Sequence, residues 1–384
     1  MTVKPATTSL SFVRRLRPGL TLGLVAATFA SALVTTGVAL PDAAEAAKCR
    51  PEQCGEYEPP PPAPPKPVRP GGVTPLIVQM GDSYASGEGA PDANGQYLGS
   101  QDCHRSNRAG FTVAGNRLKA NNPYQGTIDV RSFACSGAVI VGGTQPDRSE
   151  RDGGILSPQK GRLPQIDQVN ASVGTRRIDT LVISGGGNDM SFSDIALDCT
   201  NVMPWNADCS RPGSEANRLL AMNAPLLDDK YDMLIEAVQG RPDGTGRRLD
   251  APVGRVLLTA YPDVMTSDSG AGCHNTPWGD PLSGFQSVES NWARANVLNF
   301  INDQMYAAAA RANARPGVHP YWEVVPAPDF VRHGFCASSS TRWVNTAADS
   351  FGLQWDEKGA LHPNAAGQAQ WGSRIYDHLK YINY

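Results

Sequence analysis

Five short apolar runs, set between longer stretches with a helical pattern, constrain this chain more than any other feature. The runs are Leu76–Met80, Thr127–Phe133, Thr180–Ser184, Arg255–Ala260 and Trp322–Val325. Most are apolar or β-branched at consecutive positions rather than alternate ones, the pattern of strands covered on both faces. Ala216–Gln239, Val288–Ala312 and Ala365–Lys380 read as helices, and Pro225 is expected to start or kink part of the first. Strands alternating with helices predict an α/β domain with a central parallel sheet and helices on both sides. Ligand sites in such sheets collect at the carboxyl ends of the strands. The loops that follow the runs are therefore the places to look for chemistry. No internal repeat is visible.

The first 72 residues do not share this pattern. Arg14, Arg15 and Arg17 precede an apolar stretch from about Leu20 to Leu40, and Ala43-Ala44-Glu45-Ala46-Ala47 follows. Basic, apolar and small residues in that order predict a secretory signal peptide over residues 1–47, cleaved near Ala46 or Ala47. The apolar stretch comes close to spanning a bilayer. Its Ala, Gly and Thr content and the Ala-Glu-Ala site favour export, with no stable membrane span after cleavage. Residues 48–72 form a linker that contains Cys49, Cys54 and the tract "EPPPPAPPKPVRP". So much proline excludes helix and sheet and extends as a semi-rigid polyproline II spacer. The folded domain is expected over residues 73–384.

Eight cysteines in an exported chain read as disulfides rather than metal ligands. Neighbours in sequence suggest Cys49–Cys54, Cys103–Cys135, Cys199–Cys209 and Cys273–Cys336, among the roughly 105 pairings that eight cysteines permit. No Cys-x-x-Cys pair is present, which weakens zinc and redox readings. A net charge of −3 offers no electrostatic case for nucleic acid. No metal or cofactor is expected.

Four stretches carry candidate chemistry. "GDSYASGEGA", residues 81–90, places Ser83 just after the first run, with Gly81, Gly87 and Gly89 freeing the backbone for a tight loop. "ACSGA", residues 134–138, follows the second run, and the Gly137 N–H can approach a substrate oxygen. "SGGGNDM", residues 184–190, follows the third. It offers the Asn188 amide as a donor, while Asp189 is suited to fixing the loop by accepting backbone N–H bonds. "GALHPNAAG", residues 359–367, places His362 before the last helix, on a turn stiffened by Pro363. Taken singly, these stretches read as turns and a structural histidine. Together they supply what acyl transfer needs: a nucleophile (Ser83), a base (His362), and oxyanion donors in the N–H groups of Ser83 and Gly137 and the Asn188 amide.

In these blocks, which appear in order from Gly81 to Asn364, the chain resembles the SGNH (GDSL-type) hydrolases. It is most similar to the secreted actinomycete esterases and lipases of that family. The resemblance implies a flavodoxin-like three-layer α/β/α sandwich, metal-free ester hydrolysis, and the roles just given to Ser83, His362, Gly137 and Asn188. It also implies the pairings 103–135, 199–209 and 273–336, with Cys49 and Cys54 outside the catalytic domain. The sequence departs from the family at Gly359, where an aspartate usually stands three residues before the histidine. A main-chain carbonyl near Gly359, such as that of Ala360, is expected to orient His362. Asp356 or Glu357 folding back is the alternative.

The reading that follows is an extracellular, monomeric serine esterase or lipase acting on a lipid, a phospholipid or an acylated glycan. No long apolar lid segment is visible, which favours short or medium acyl chains. Trp205, Trp278 and Trp355 fall in loops and are candidates for the acyl pocket, though core or surface positions suit them better. The alternative is a secreted lipid- or glycan-binding protein on a catalytically weak hydrolase scaffold. A glycosidase built on Asp82 and Asp189 leaves His362 without a role. "GRPDGTGRRLDAPVG", residues 240–254, lacks the Gly-Lys-Ser/Thr ending of a phosphate loop and reads as a flexible connection.

Overall fold

Five parallel strands in the order β2-β1-β3-β4-β5 form the centre of the molecule: β1 (Leu76–Gly81), β2 (Asp129–Ser132), β3 (Ile178–Ser184), β4 (Val253–Thr259) and β5 (Tyr321–Val325). The computed structural model describes residues 74–99, 101–121, 127–142, 153–199, 208–273, 285–317 and 319–380. The stretches expected to form a signal peptide and a linker, with Cys49 and Cys54, and Trp205 and Trp278 lie outside the described residues. Among the described residues, no helix is long and apolar enough to cross a membrane.

The expected runs are the observed strands to within two or three residues. Every residue of β1 and β3 is buried, and each fully covered Leu, Ile or Val contributes about 1.5–3 kcal/mol. The helices are α1 (Ser83–Ser86), α2 (Gly110–Ala120), α3 (Gln165–Val173), α4 (Phe192–Asp198), α5 (Glu215–Gln239), α6 (Ser287–Ala293), α7 (Asn299–Asn313), α8 (Ala347–Gln354) and α9 (Ala365–Leu379). Helix α5 runs unbroken through Pro225, so this proline neither starts nor ends it. A π-helical turn, Arg294–Leu298, joins α6 to α7. The predicted single helix over 288–312 is thus one continuous rod with a local change of winding. The 240–254 connection is pinned rather than loose. Arg247 donates to the carbonyls of Leu249 and Ala251, and Arg248 to that of Leu156.

Given the order β2-β1-β3-β4-β5, the right-handed rule for parallel crossovers puts the connection from β1 to β2 on one face and those from β2 to β3, β3 to β4 and β4 to β5 on the other. Helix α9 returns to the face of α2, and the two pack closely where Gly110 meets Gly372. A Cβ on Gly372 would lie 2.8 Å from the Gly110 carbonyl oxygen. The result is an α/β fold of three layers. The chain leaves β1 to one side and enters β3 on the other, so their carboxyl ends form the switch point at which a crevice opens.

Three disulfides, Cys103–Cys135, Cys199–Cys209 and Cys273–Cys336, match the pairing implied by the resemblance. The first ties the segment before α2 to the loop after β2.

Candidate active site

Ser83 stands two residues beyond the end of β1, the neighbour of the central strand β3. Gly81 has φ +148°, and a Cβ there would meet the Ser184 carbonyl oxygen at 2.5 Å, so only glycine lets the chain turn this sharply beside β3. Asp82 caps α1, accepting from the N–H groups of Tyr84 and Ala85 at 3.0 and 3.4 Å. The same carboxylate accepts from Ser184 Oγ at 3.1 Å and from the Tyr261 hydroxyl. Burial pushes the Asp82 carboxyl above the ordinary range, against these hydrogen bonds. Its lone pairs go to scaffolding, which fixes the rotation of the turn that presents Ser83.

His362 reaches the serine from the other end of the chain. Its Nε2 lies 2.7 Å from Ser83 Oγ, and its Nδ1 lies 3.0 Å from the carbonyl oxygen of Ala360. With Nδ1–H donating to that carbonyl, Nε2 is left as the acceptor for the serine proton. The turn that holds it is strained: Leu361 has φ +60°, which costs about 1–2 kcal/mol for a side chain of this kind. Three hydrogen bonds hold it there. The Tyr84 hydroxyl donates to the Leu361 carbonyl at 2.7 Å, Leu361 N–H donates to the Asn345 carbonyl at 3.0 Å, and Asn345 N–H donates to the His362 carbonyl at 2.9 Å. Burial pushes the imidazole below its ordinary range. The charge of Glu88, the Ala360 carbonyl and the charge of Asp82 pull it back only in part. Its base form therefore persists to lower pH than that of a free histidine.

Neither acidic candidate orients the histidine. The Asp356 carboxylate is occupied by Gln354 Nε2 at 2.6 Å and Lys358 N–H at 3.0 Å, and Glu357 contributes its main-chain carbonyl to Ala360 N–H. Gly359 contributes only backbone, its carbonyl accepting from His362 N–H at 3.2 Å. An aspartate does not fit at this position, because a Cβ would lie 2.8 Å from Ser350 Oγ and 2.9 Å from Gln354 Oε1.

Asn188 opens a 3₁₀ turn after β3, with its Nδ2 donating to the Ala138 carbonyl at 2.9 Å. That bond uses one of the two amide hydrogens and ties the loop after β3 to the loop that contains Gly137. Gly137 itself is exposed, with φ +81°. Asp189, the neighbour of Asn188, accepts from Ile140 N–H through both oxygens and pairs with Lys230 Nζ at 2.9 Å. As expected, it fixes the loop. The lysine partner, in the middle of α5, carries no sequence signal.

Ser83, Asn188 and His362 line one mainly apolar cavity. Phe192, Val264, Met265, Leu298 and Ile301 form its walls. The π-helical turn thus contributes directly to the cavity, as such turns often do at functional sites. Trp355 is 87% exposed and is not part of it. Gly137 is also absent from the lining.

A second polar cluster adjoins the site. Glu88, 1% exposed, accepts from His104 Nδ1 and Ser136 Oγ at 2.5 Å each and from Gln354 Nε2 at 2.7 Å. His104 stacks on Tyr97, whose hydroxyl accepts from Gly89 N–H. Burial alone would raise the Glu88 carboxyl. The hydrogen bond from His104, the charges of His362 and His104 and the hydrogen bond from Ser136 outweigh it and lower the group to about 2. The signal for Glu88 was present in "GDSYASGEGA": a lone acid among glycines directly after the serine turn. That for His104 was not.

No protein-family profile matches the chain, and no curated protein matches it. The chain is similar to solved structures of esterases and lipases. An extracellular lipase from Streptomyces rimosus is 21% identical over 80% of this chain and 99% of its own, with a TM-score of 0.49. A phospholipase A1 from Streptomyces albidoflavus is 19% identical over 80% and 100%, with a TM-score of 0.48. Est24, a carbohydrate acetylesterase from Sinorhizobium meliloti, is 13% identical over 80% and 100%, with a TM-score of 0.36. Similarity at this level assigns no substrate, and the functional reading rests on the site itself.

Proposed function

We propose that this protein is an exported serine esterase that hydrolyses carboxylic esters through an acyl-enzyme on Ser83. The observation that carries the reading is the 2.7 Å hydrogen bond between Ser83 Oγ and His362 Nε2 in the lining of an apolar cavity, with Nδ1 held by the Ala360 carbonyl.

In the first half-reaction, Ser83 Oγ attacks the ester carbonyl carbon while Nε2 takes the hydroxyl proton. Negative charge collects on the carbonyl oxygen, where the N–H groups of Ser83 and Gly137 and the free hydrogen of the Asn188 amide would meet it. The imidazolium then gives its proton to the departing alkoxide, and the alcohol leaves. Water enters, gives a proton to Nε2 and attacks the acyl carbon. The tetrahedral species collapses to carboxylic acid and Ser83 with the proton returned. Throughout, the Ala360 carbonyl supports the imidazolium as a dipole, in place of a carboxylate. The apolar walls suit the acyl group.

Hydrolysis of a p-nitrophenyl ester series by the mature protein and by Ser83→Ala tests this reading. Turnover lost in the variant is the expected result, and the chain-length profile then narrows the acyl group. Folded wild type and variant that are equally inactive, while still binding lipid or glycan, would replace an esterase with a binding protein.

A further inference from the structure

The space where a family aspartate would begin is not empty. A side chain at position 359 would run into the Gln354 side-chain oxygen at 2.9 Å, and the nitrogen of that same amide donates to Glu88. The Glu88 carboxylate thus lies one side chain beyond the place left by the missing acid. The backbone brings it close to the histidine as well, since a Cβ on Gly89 would sit 3.1 Å from His362 Cβ and 3.1 Å from the Gly359 carbonyl oxygen. Asn345 Nδ2 donates to the Gly89 carbonyl at 2.7 Å, which fastens this segment to the histidine turn.

We propose that Glu88 is a positioning residue for His362. Its buried carboxylate supplies, through space, the negative charge that no side chain at position 359 provides. The proposal rests on the serine-esterase reading above. The Ala360 carbonyl sets the tautomer and direction of the ring but carries only a dipole. The Glu88 charge favours the imidazolium that forms when Ser83 gives up its proton. Through Ser136 Oγ the same carboxylate holds the residue before Gly137, so one group ties the base to the oxyanion side of the site.

The other groups that act on His362 are few. Asp82 and Tyr84 face it from the serine turn, with the Tyr84 ring 5.0 Å away. His104 acts from beside Glu88 and opposes it. Across the cavity, Arg294 and Asp263 pair with each other. On the histidine's own segment, Asp356 and Lys358 lie 3.8 Å apart as a pair. Removing the Glu88 charge therefore lowers the proton affinity of His362, and removing His104 raises it. A purely structural role would not produce shifts of opposite sign.

The experiment is an NMR titration of the His362 ring in the folded protein, with kcat/KM against pH measured in parallel. In Glu88→Gln the titration midpoint and the acid limb of kcat/KM move to lower pH by about 0.5–1.5 units, the range set by one unit charge in a partly screened site. The plateau rate falls roughly tenfold, because each pH unit of lost imidazolium stabilisation is a factor of ten. In His104→Asn the midpoint moves to higher pH, and this variant carries the test if Glu88→Gln fails to fold. A midpoint that stays in place in a folded, active Glu88→Gln enzyme, or shifts of the same sign in both variants, overturns the proposal. Midpoints that move as expected in a protein that hydrolyses no ester uphold the electrostatic coupling and overturn the esterase reading instead.

Discussion

Replacing Lys230 by Met tests whether the loop carrying Asn188 is held by one buried ion pair. Lys230 and Asp189 have side chains 5% and 1% exposed and meet at 2.9 Å. Methionine keeps the length of the stem and removes the charge, so Asp189 loses its cationic partner while retaining the two contacts from Ile140 N–H. Breaking a buried pair from one side costs about 3–5 kcal/mol, because the remaining carboxylate keeps its desolvation cost after losing the attraction of the cation. For a domain of this size, about 2–4 °C per kcal/mol gives a fall in Tm of roughly 6–20 °C. Ile140 follows the loop that contains Gly137, and Asn188 adjoins Asp189. The loss should therefore appear in kcat more than in KM. Calorimetry and urea titration measure the stability, and the ester assay measures kcat. The double variant Asp189→Asn/Lys230→Met removes both charges while leaving an oxygen for Ile140 N–H. It should recover half or more of the lost stability, giving a coupling that a double-mutant cycle reads directly. A Lys230→Met protein within about 1 kcal/mol of wild type, with unchanged kcat, would refute the reasoning.

Two further outcomes follow from the site. Asn188→Ala removes one oxyanion donor, and kcat should fall about 10²–10³-fold with KM little changed; a fall in KM-dependent terms alone would place the amide outside the transition state. Glu88 is lowered from 4.5 to about 2 in the fold. A depressed acid contributes stability above its unfolded pKa and loses it as pH falls through the folded value, so about 3 kcal/mol should vanish between about pH 5 and pH 2. Glu88→Gln should flatten that part of the stability curve measured by urea titration, and an unchanged acid limb would contradict the assignment.

Much of the fold was legible because strands buried on both faces leave nearly continuous apolar runs. Leu76–Gly81 and Ile178–Ser184 are the clearest cases. The second strand was overextended, since Asp129–Ser132 is only half-buried at the sheet edge and its flanking residues carry the same composition. Helix α2 went unread because "GFTVAGNRLKA" is rich in small residues. Those residues let it lie close to α9, and they also dilute the apolar stripe that marks a helix. For the site, the order of the four blocks pointed to Ser83, Asn188 and His362, and the structure brings these three to one cavity. The partners that hold them were hidden. Lys230 is a lysine on a long helix with ordinary spacing, and nothing in the sequence marks Tyr84 or Tyr261 for the bonds their hydroxyls make to the Leu361 carbonyl and the Asp82 carboxylate.

The sequence by itself determined which residues can do chemistry here, because a serine after a buried strand, an amide in a glycine turn and a histidine before a helix are local features of the chain. It also showed that position 359 lacks an acid. The expected stand-in, a main-chain carbonyl, could be named from the sequence, but the choice between it and Asp356 or Glu357 needed tertiary structure. The Ala360 carbonyl gains its role from a strained turn held by Tyr84 and Asn345, more than 270 and about 15 residues away in sequence. The backbone next to Glu88, at Gly89, comes close to His362 because the loops after β1 and before α9 meet there. Direction and charge at an imidazole depend on distances of a few ångströms between segments remote in the chain, and those distances are set by packing rather than by local sequence.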